Sequence, residues 1–159
     1  MTEASCLHCD GACRLTDGKE VYPHRGDLWS KPFWVCDPCG ARVGCHPGTT
    51  DPLGHAANAE TRRARSMLHD RMLDPIWKTA DRLYQIDSRQ ERKKVLRVAR
   101  RRTYAFLAEK MGLTTDETHT GMFTVEQCRE AWAALKGQTA ASIRAWAKAR
   151  QDSTNANDP

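Results

Sequence analysis

The sequence lacks any run of about 18 apolar residues, which excludes a bilayer-spanning helix. Its first residues, MTEASCLHCDG, are polar, so no signal segment is expected. Aromatic residues make up only 7% of the chain and mean hydropathy is -0.70, so the apolar core must be modest. No HExxH, phosphate-binding glycine loop or nucleophile elbow is present, which leaves no local motif for catalysis. The seven cysteines are an odd number, unlike the even set of a secreted disulfide scaffold. They suit a reducing compartment, and a cytoplasmic location is expected.

Four of those cysteines are spaced for a metal. Cys6-Leu-His-Cys9 and Cys36-Asp-Pro-Cys39 are two Cys-x-x-Cys pairs with 26 residues between them. A two-residue turn brings both sulfurs of each pair to one cation, and two such turns make the closed tetrahedron of structural zinc. Gly40 follows the second pair and suits a tight turn whose N–H groups reach back to sulfur. The expected cofactor is one structural zinc ion on Cys6, Cys9, Cys36 and Cys39. Cys13 and Cys45 are expected as small buried hydrophobes, although the spacing leaves open whether Cys45 or His46 replaces a ligand.

Along the chain, residues 10–18 read as turn because of Asp10-Gly11 and Asp17-Gly18. Residues 19–23 and 31–35 read as two short strands, with Tyr22, Phe33 and Trp34 covering the metal turns. The predicted fold is α+β: a small N-terminal zinc ribbon, that is, a β-hairpin with a four-cysteine zinc site, over residues 1–48. A mainly helical region over 49–151 and a disordered tail over 152–159 follow. A helix is expected over 56–73, ended by Pro75, with Asp74 capping a short second helix. Ser88-Arg-Gln-Glu91 is a capping box that opens a long helix to Met111, stopped by Gly112. Thr124-Val-Glu-Gln127 opens another to Lys136, and Thr139 a last one to Gln151.

Charge is concentrated. The formal net charge is +5, yet residues 89–102, RQERKKVLRVARRR, alone carry eight Lys/Arg and one Glu. Lys93, Lys94, Arg97, Arg100, Arg101 and Tyr104 fall on one side of the long helix, opposite Val95, Leu96, Ala99, Thr103, Phe106 and Leu107. Such a row can track a phosphate backbone while Tyr104 stacks on a base, so DNA or RNA is the expected partner. A merely solvated face would alternate Glu with Lys. Three alternatives remain. Arg62 and Arg65, with His69 on the same helix face, could bind an anion. His46, His69, Asp74 and His119 could form a second metal or acid–base site of a hydrolase if they converged. The protein could instead dock on a host protein.

The order CxxC, WVCDPCGARVGCH, Pro52-x-Gly54, TRRARSMLHD, LDPIW, RTYAFLAEKMGL and HTGMF, with Cys128 downstream, resembles a bacterial and phage family described as a zinc-finger-containing domain of unknown function. The resemblance runs from about Cys6 to Leu135. It implies metal ligands at Cys6, Cys9, Cys36 and Cys39. It also marks His46, Arg62, Arg65, His69, Asp74, Trp77, Tyr104, His119 and Gly121 as pattern positions. Thr120 and Phe106 depart from the family pattern in ways that concern packing. The resemblance implies a zinc module joined to helices and a phage or mobile-element origin, and it implies no reaction.

Overall fold

The computed structural model describes residues 3–9 and 11–156, with side chains through Gln151. The chain divides into two compact units. The first comprises residues 1–65 and 119–125, the second residues 66–118 and 126–159.

The first unit is built on a three-stranded antiparallel sheet in the order β1-β2-β3: β1 (Cys13–Asp17), β2 (Pro32–Cys36) and β3 (Arg42–Gly44). Cys13 stands opposite Cys36 and Trp34 opposite Val43. The second strand lies where the sequence places it, but the first does not. Residues 13–17, within the segment expected as turn, form β1, whereas residues 19–23, expected as strand, begin in a single helical turn, α1 (Gly18–Val21). The Asp17-Gly18 signal marks the junction. Asp17 Oδ1 accepts from the N–H groups of Lys19 and Glu20, both at 3.0 Å, an N-cap. Gly18 is needed there because a Cβ would lie 1.8 Å from the Leu28 carbonyl oxygen. A 3₁₀ turn (Gly26–Leu28) completes the connection to β2. The core of this unit is small: Ala4, Trp34, Cys36, Ala41, Val43 and Ala56 are buried, with Cys6, Cys9, Cys13 and Cys45 packed against them. Cys13 and Cys45 are half-buried, and burial pushes both thiols up from their ordinary value.

One long-range contact in this unit joins two loops. A Cβ on Gly54, which has φ +153°, would lie 2.1 Å from the Gly121 carbonyl oxygen; a Cβ on Gly121 would lie 2.2 Å from that of Leu53. The His55 N–H donates to Gly121 O at 3.1 Å. Two glycines are required because two backbones touch.

Helix α2 (Ala59–Leu68) is followed by a π-helical turn (His69–Leu73) and then by α3 (Asp74–Lys78). Pro75 therefore does not end the helix, contrary to the sequence expectation. Proline lacks the N–H for an i→i−4 bond and its ring crowds that carbonyl. The wider π turn accommodates both, and the Asp74 N–H donates to His69 O, five residues back. Asp74 itself is helical (φ −61°, ψ −44°), so it is not the N-cap anticipated. Its carboxylate is used elsewhere.

In the second unit α4 (Arg89–Met111) follows the predicted bounds. Ser88 accepts from the Glu91 N–H at 3.1 Å, and Gly112 (φ +65°) ends the helix. Thr103, Phe106 and Leu107 are buried, in keeping with the apolar face predicted. Helix α5 (Val125–Leu135) is closed near Gly137 (φ +76°). Helix α6 (Ala140–Ala156) is capped by Thr139, which accepts from the Ser142 N–H at 3.1 Å. It runs on past residue 151 into the segment expected to be a disordered tail, and residues 157–159 of that segment lie outside the described residues. Trp146 packs edge-on against Phe106 (ring centroids 5.3 Å apart) and donates to Glu109 at 3.1 Å. This α4–α6 contact, with Leu68, Leu73, Ile76, Leu107, Leu135 and Ile143 buried, supplies the larger apolar core.

Candidate metal centre and basic helix

The first Cys-x-x-Cys pair precedes β1, and the second forms the turn between β2 and β3. Because Cys13 is registered against Cys36, both pairs lie at the end of the β1–β2 hairpin remote from its connection. The four ligand atoms all lie within 4.8 Å of one another. Sulfur–sulfur distances are 3.4 Å for Cys6–Cys39, 3.5 Å for Cys9–Cys36 and 3.7 Å for Cys6–Cys9. A tetrahedral zinc ion with bonds of about 2.3 Å sets its sulfurs about 3.8 Å apart, so the cluster has the size zinc requires. Main-chain groups support it: the His8 N–H donates to Cys6 Sγ at 3.4 Å, and the Gly40 N–H closes the second turn on Cys36 O at 2.8 Å. Gly40 has φ +71°, the left-handed conformation its turn demands.

Gly11 gives a second indication. A Cβ there would meet Cys36 Sγ at 3.1 Å, Cys9 Sγ at 3.2 Å and Pro38 Cγ at 2.8 Å. The backbone is thus drawn up against the sulfurs, with no space for a larger residue. Burial raises the Cys6 thiol, but hydrogen bonds from His8, Cys9 and the neighbouring cysteines more than offset it and bring it down to about 7. The Cys36 thiol is pushed up, first by burial and then by Cys9. A dication resolves this conflict, since it takes four thiolates in place of competing protons. Zinc, when bound, supplies a redox-inert cross-link between the two turns. Among the described residues, these four cysteines form the only cluster of three or more metal-ligating side chains, and neither Cys45 nor His46 belongs to it.

The histidine–aspartate set does not form such a cluster. His46 and His119 belong to the first unit, where both are exposed; His69 and Asp74 belong to the second. His69 Nδ1 is 3.7 Å from Asp74 Oδ1, beyond hydrogen-bond distance. Asp74 accepts instead from Trp77 Nε1 at 3.1 Å and from Lys78 Nζ at 2.7 Å. Burial opposes its ionisation, but Lys78, His69 and Trp77 together hold it below the usual carboxylate range.

Arg62 and Arg65 direct donors to main-chain carbonyls. Arg65, 8% exposed, donates from Nε to Phe123 O at 2.8 Å and from Nη1 to His55 O at 3.0 Å. Arg62 Nη1 donates to Ala57 O at 2.6 Å. Burial, then the Arg42 charge, lowers the Arg62 pKa. These guanidiniums fasten loops to α2.

On α4, Lys93, Lys94, Arg97, Arg100 and Arg101 are exposed and Tyr104 is half-buried. Among the described residues none of the five cations has an ion pair, whereas nearby Arg92 is held by Asp81 at 2.6 Å. Trp77, a position that the family resemblance marks, lies on this side of the second unit. The Arg100 guanidinium carbon is 5.9 Å from the Trp77 ring centroid and 5.6 Å from that of Tyr104. Sequence spacing could not pair Trp77 with Arg100, because they sit on different helices.

The sequence model of a zinc-finger-containing domain family matches residues 2–138. No curated protein and no solved structure gives a significant match. With the family model spanning most of the chain and four cysteines gathered at zinc-binding distances, the chain belongs to the zinc-finger-containing domain family.

Proposed function

We propose that the protein is a non-enzymatic zinc-binding protein that contacts nucleic acid through α4, with one structural zinc ion holding the sheet. The family resemblance suggests a phage or mobile-element origin, and its free thiols suit the cytoplasm. The observation that carries the nucleic-acid reading is the exposed row Lys93, Lys94, Arg97, Arg100 and Arg101 without acidic partners. From Arg92 to Ala108 the helix contains no Asp or Glu. Lys93/Arg97 and Arg97/Arg101 are like-charge i,i+4 pairs, each costing the helix about 0.2–0.5 kcal/mol. Folding gains nothing from that arrangement, while a polyphosphate strand would relieve it. The acids nearby are already engaged: Asp74 by Lys78 and Asp81 by Arg92 on neighbouring elements, and Glu109, near the end of α4, by Arg150.

A salt titration of binding tests the reading. Five neutralised phosphates give a slope of log affinity against log salt of roughly −4.5 on duplex DNA and −3.5 on a single strand. Charge reversal of Arg97, Arg100 and Arg101 to Glu should abolish binding and leave the helical circular dichroism intact. Wild-type affinity in that folded variant, or an affinity independent of salt, overturns the reading.

A further inference from the structure

The arrangement of rings around Arg100 narrows the kind of nucleic acid. Trp77 comes from α3 and Tyr104 from α4, one helical turn beyond Arg100. Both rings lie within 6 Å of the same guanidinium carbon, which places their centroids no more than about 12 Å apart. The Trp77 ring is held in place by its own polar edge, through the Nε1–H bond to Asp74 at 3.1 Å. Lys78, also on Asp74, has its ammonium 5.3 Å from the Trp77 ring. Neither ring is buried. Cations and aromatic rings therefore alternate across the α3–α4 surface, in line with the exposed row along α4.

We propose that this surface binds single-stranded nucleic acid, with bases stacking on Trp77 and Tyr104 and the strand's phosphates taken by Arg100, Arg97 and Lys93. The proposal rests on the nucleic-acid reading above and specifies its substrate. The two Arg100 contacts lie near the outer limit for a cation–π interaction, and Arg100 is exposed, so both are weak. A base stacked on an aromatic ring contributes more than such a contact. An incoming base thus displaces the guanidinium readily, and the freed cation turns to the adjacent phosphate. A duplex keeps its base faces inside the stack and would engage the phosphate row alone. Arg100 then serves as a placeholder over the rings in the free protein and as a phosphate ligand in the complex.

The test compares oligo(dT), oligo(U) and duplex DNA of equal length, about 20 nucleotides, on the full chain at one salt concentration. Single strands are expected to bind at least fivefold more tightly than duplex. Trp77→Leu and Tyr104→Leu should each erase at least fivefold of single-strand affinity while leaving duplex affinity unchanged, the loss expected for one stacked base. The oligo(dT) and oligo(U) arms distinguish DNA from RNA as the strand. Because Trp77 is half-buried, ultraviolet crosslinking of the unaltered protein to oligo(dT), mapped by mass spectrometry, provides a readout that needs no variant. Crosslinks at Trp77 or Tyr104 support the proposal, and crosslinks confined to other residues overturn it. Equal affinity for single strand and duplex with a steep salt slope overturns base stacking and leaves the phosphate row standing. Absence of binding to every probe overturns both.

Discussion

Removing the metal should dismantle the first unit and spare the second. Among the described residues, the first unit has three large buried apolar side chains: Trp34, Val43 and Phe123. At about 1.5–3 kcal/mol each, their burial contributes roughly 5–9 kcal/mol. Structural zinc in small modules contributes roughly 10–16 kcal/mol at neutral pH, more than all three together. The second unit does not have this dependence, because Leu68, Leu73, Ile76, Phe106, Leu107, Leu135 and Ile143 form its core. Stripping zinc with a chelator, with elemental analysis to confirm the loss, should expose the amides of residues 13–17 and 32–36 to hydrogen exchange. The amides of residues 92–108 should stay protected, and most of the helical circular dichroism should persist. Adding back one equivalent of zinc should restore the strand protection. Acid should act in the same direction as the chelator, since protons compete for the same four sulfurs. Full protection of the strand amides in demonstrably zinc-free protein would refute the reasoning.

Two further predictions concern how the loops are held. Gly121→Ala places a Cβ 2.2 Å from the Leu53 carbonyl oxygen, a backbone atom with little freedom to yield. The cost should approach 3 kcal/mol by denaturant unfolding followed through tryptophan fluorescence, and a change under about 0.5 kcal/mol would contradict the close approach. Arg65→Met keeps the aliphatic stem but removes the donors to Phe123 O and His55 O. Leaving two carbonyls unpaired should cost about 2–4 kcal/mol in the same assay. Unchanged stability, together with weakened phosphate binding, would return Arg65 to the role of anion ligand.

What the sequence determined by itself is what local chemistry controls. Two Cys-x-x-Cys turns bring their sulfurs together because a two-residue spacing allows little else, and the cluster found is the one predicted. Helix α4 begins at Ser88 and stops at Gly112 because capping and left-handed glycine act within a single turn. Tertiary structure decided the rest. CRLTD, exposed at three of five positions, shows no alternation in burial and becomes a strand because β2 offers it hydrogen-bonding partners. Pro75 stays within a helical path because a π turn opens for it, an adjustment that spacing does not encode. Arg62 and Arg65 read as free cations until their carbonyl partners are known, and the Arg65 partner Phe123 is 58 residues away in sequence. Gly54 and Gly121 must both lack a side chain for one reason, the contact of two backbones distant in the chain. In the same way, the rings of Trp77 and Tyr104 meet over Arg100 only once α3 lies against α4.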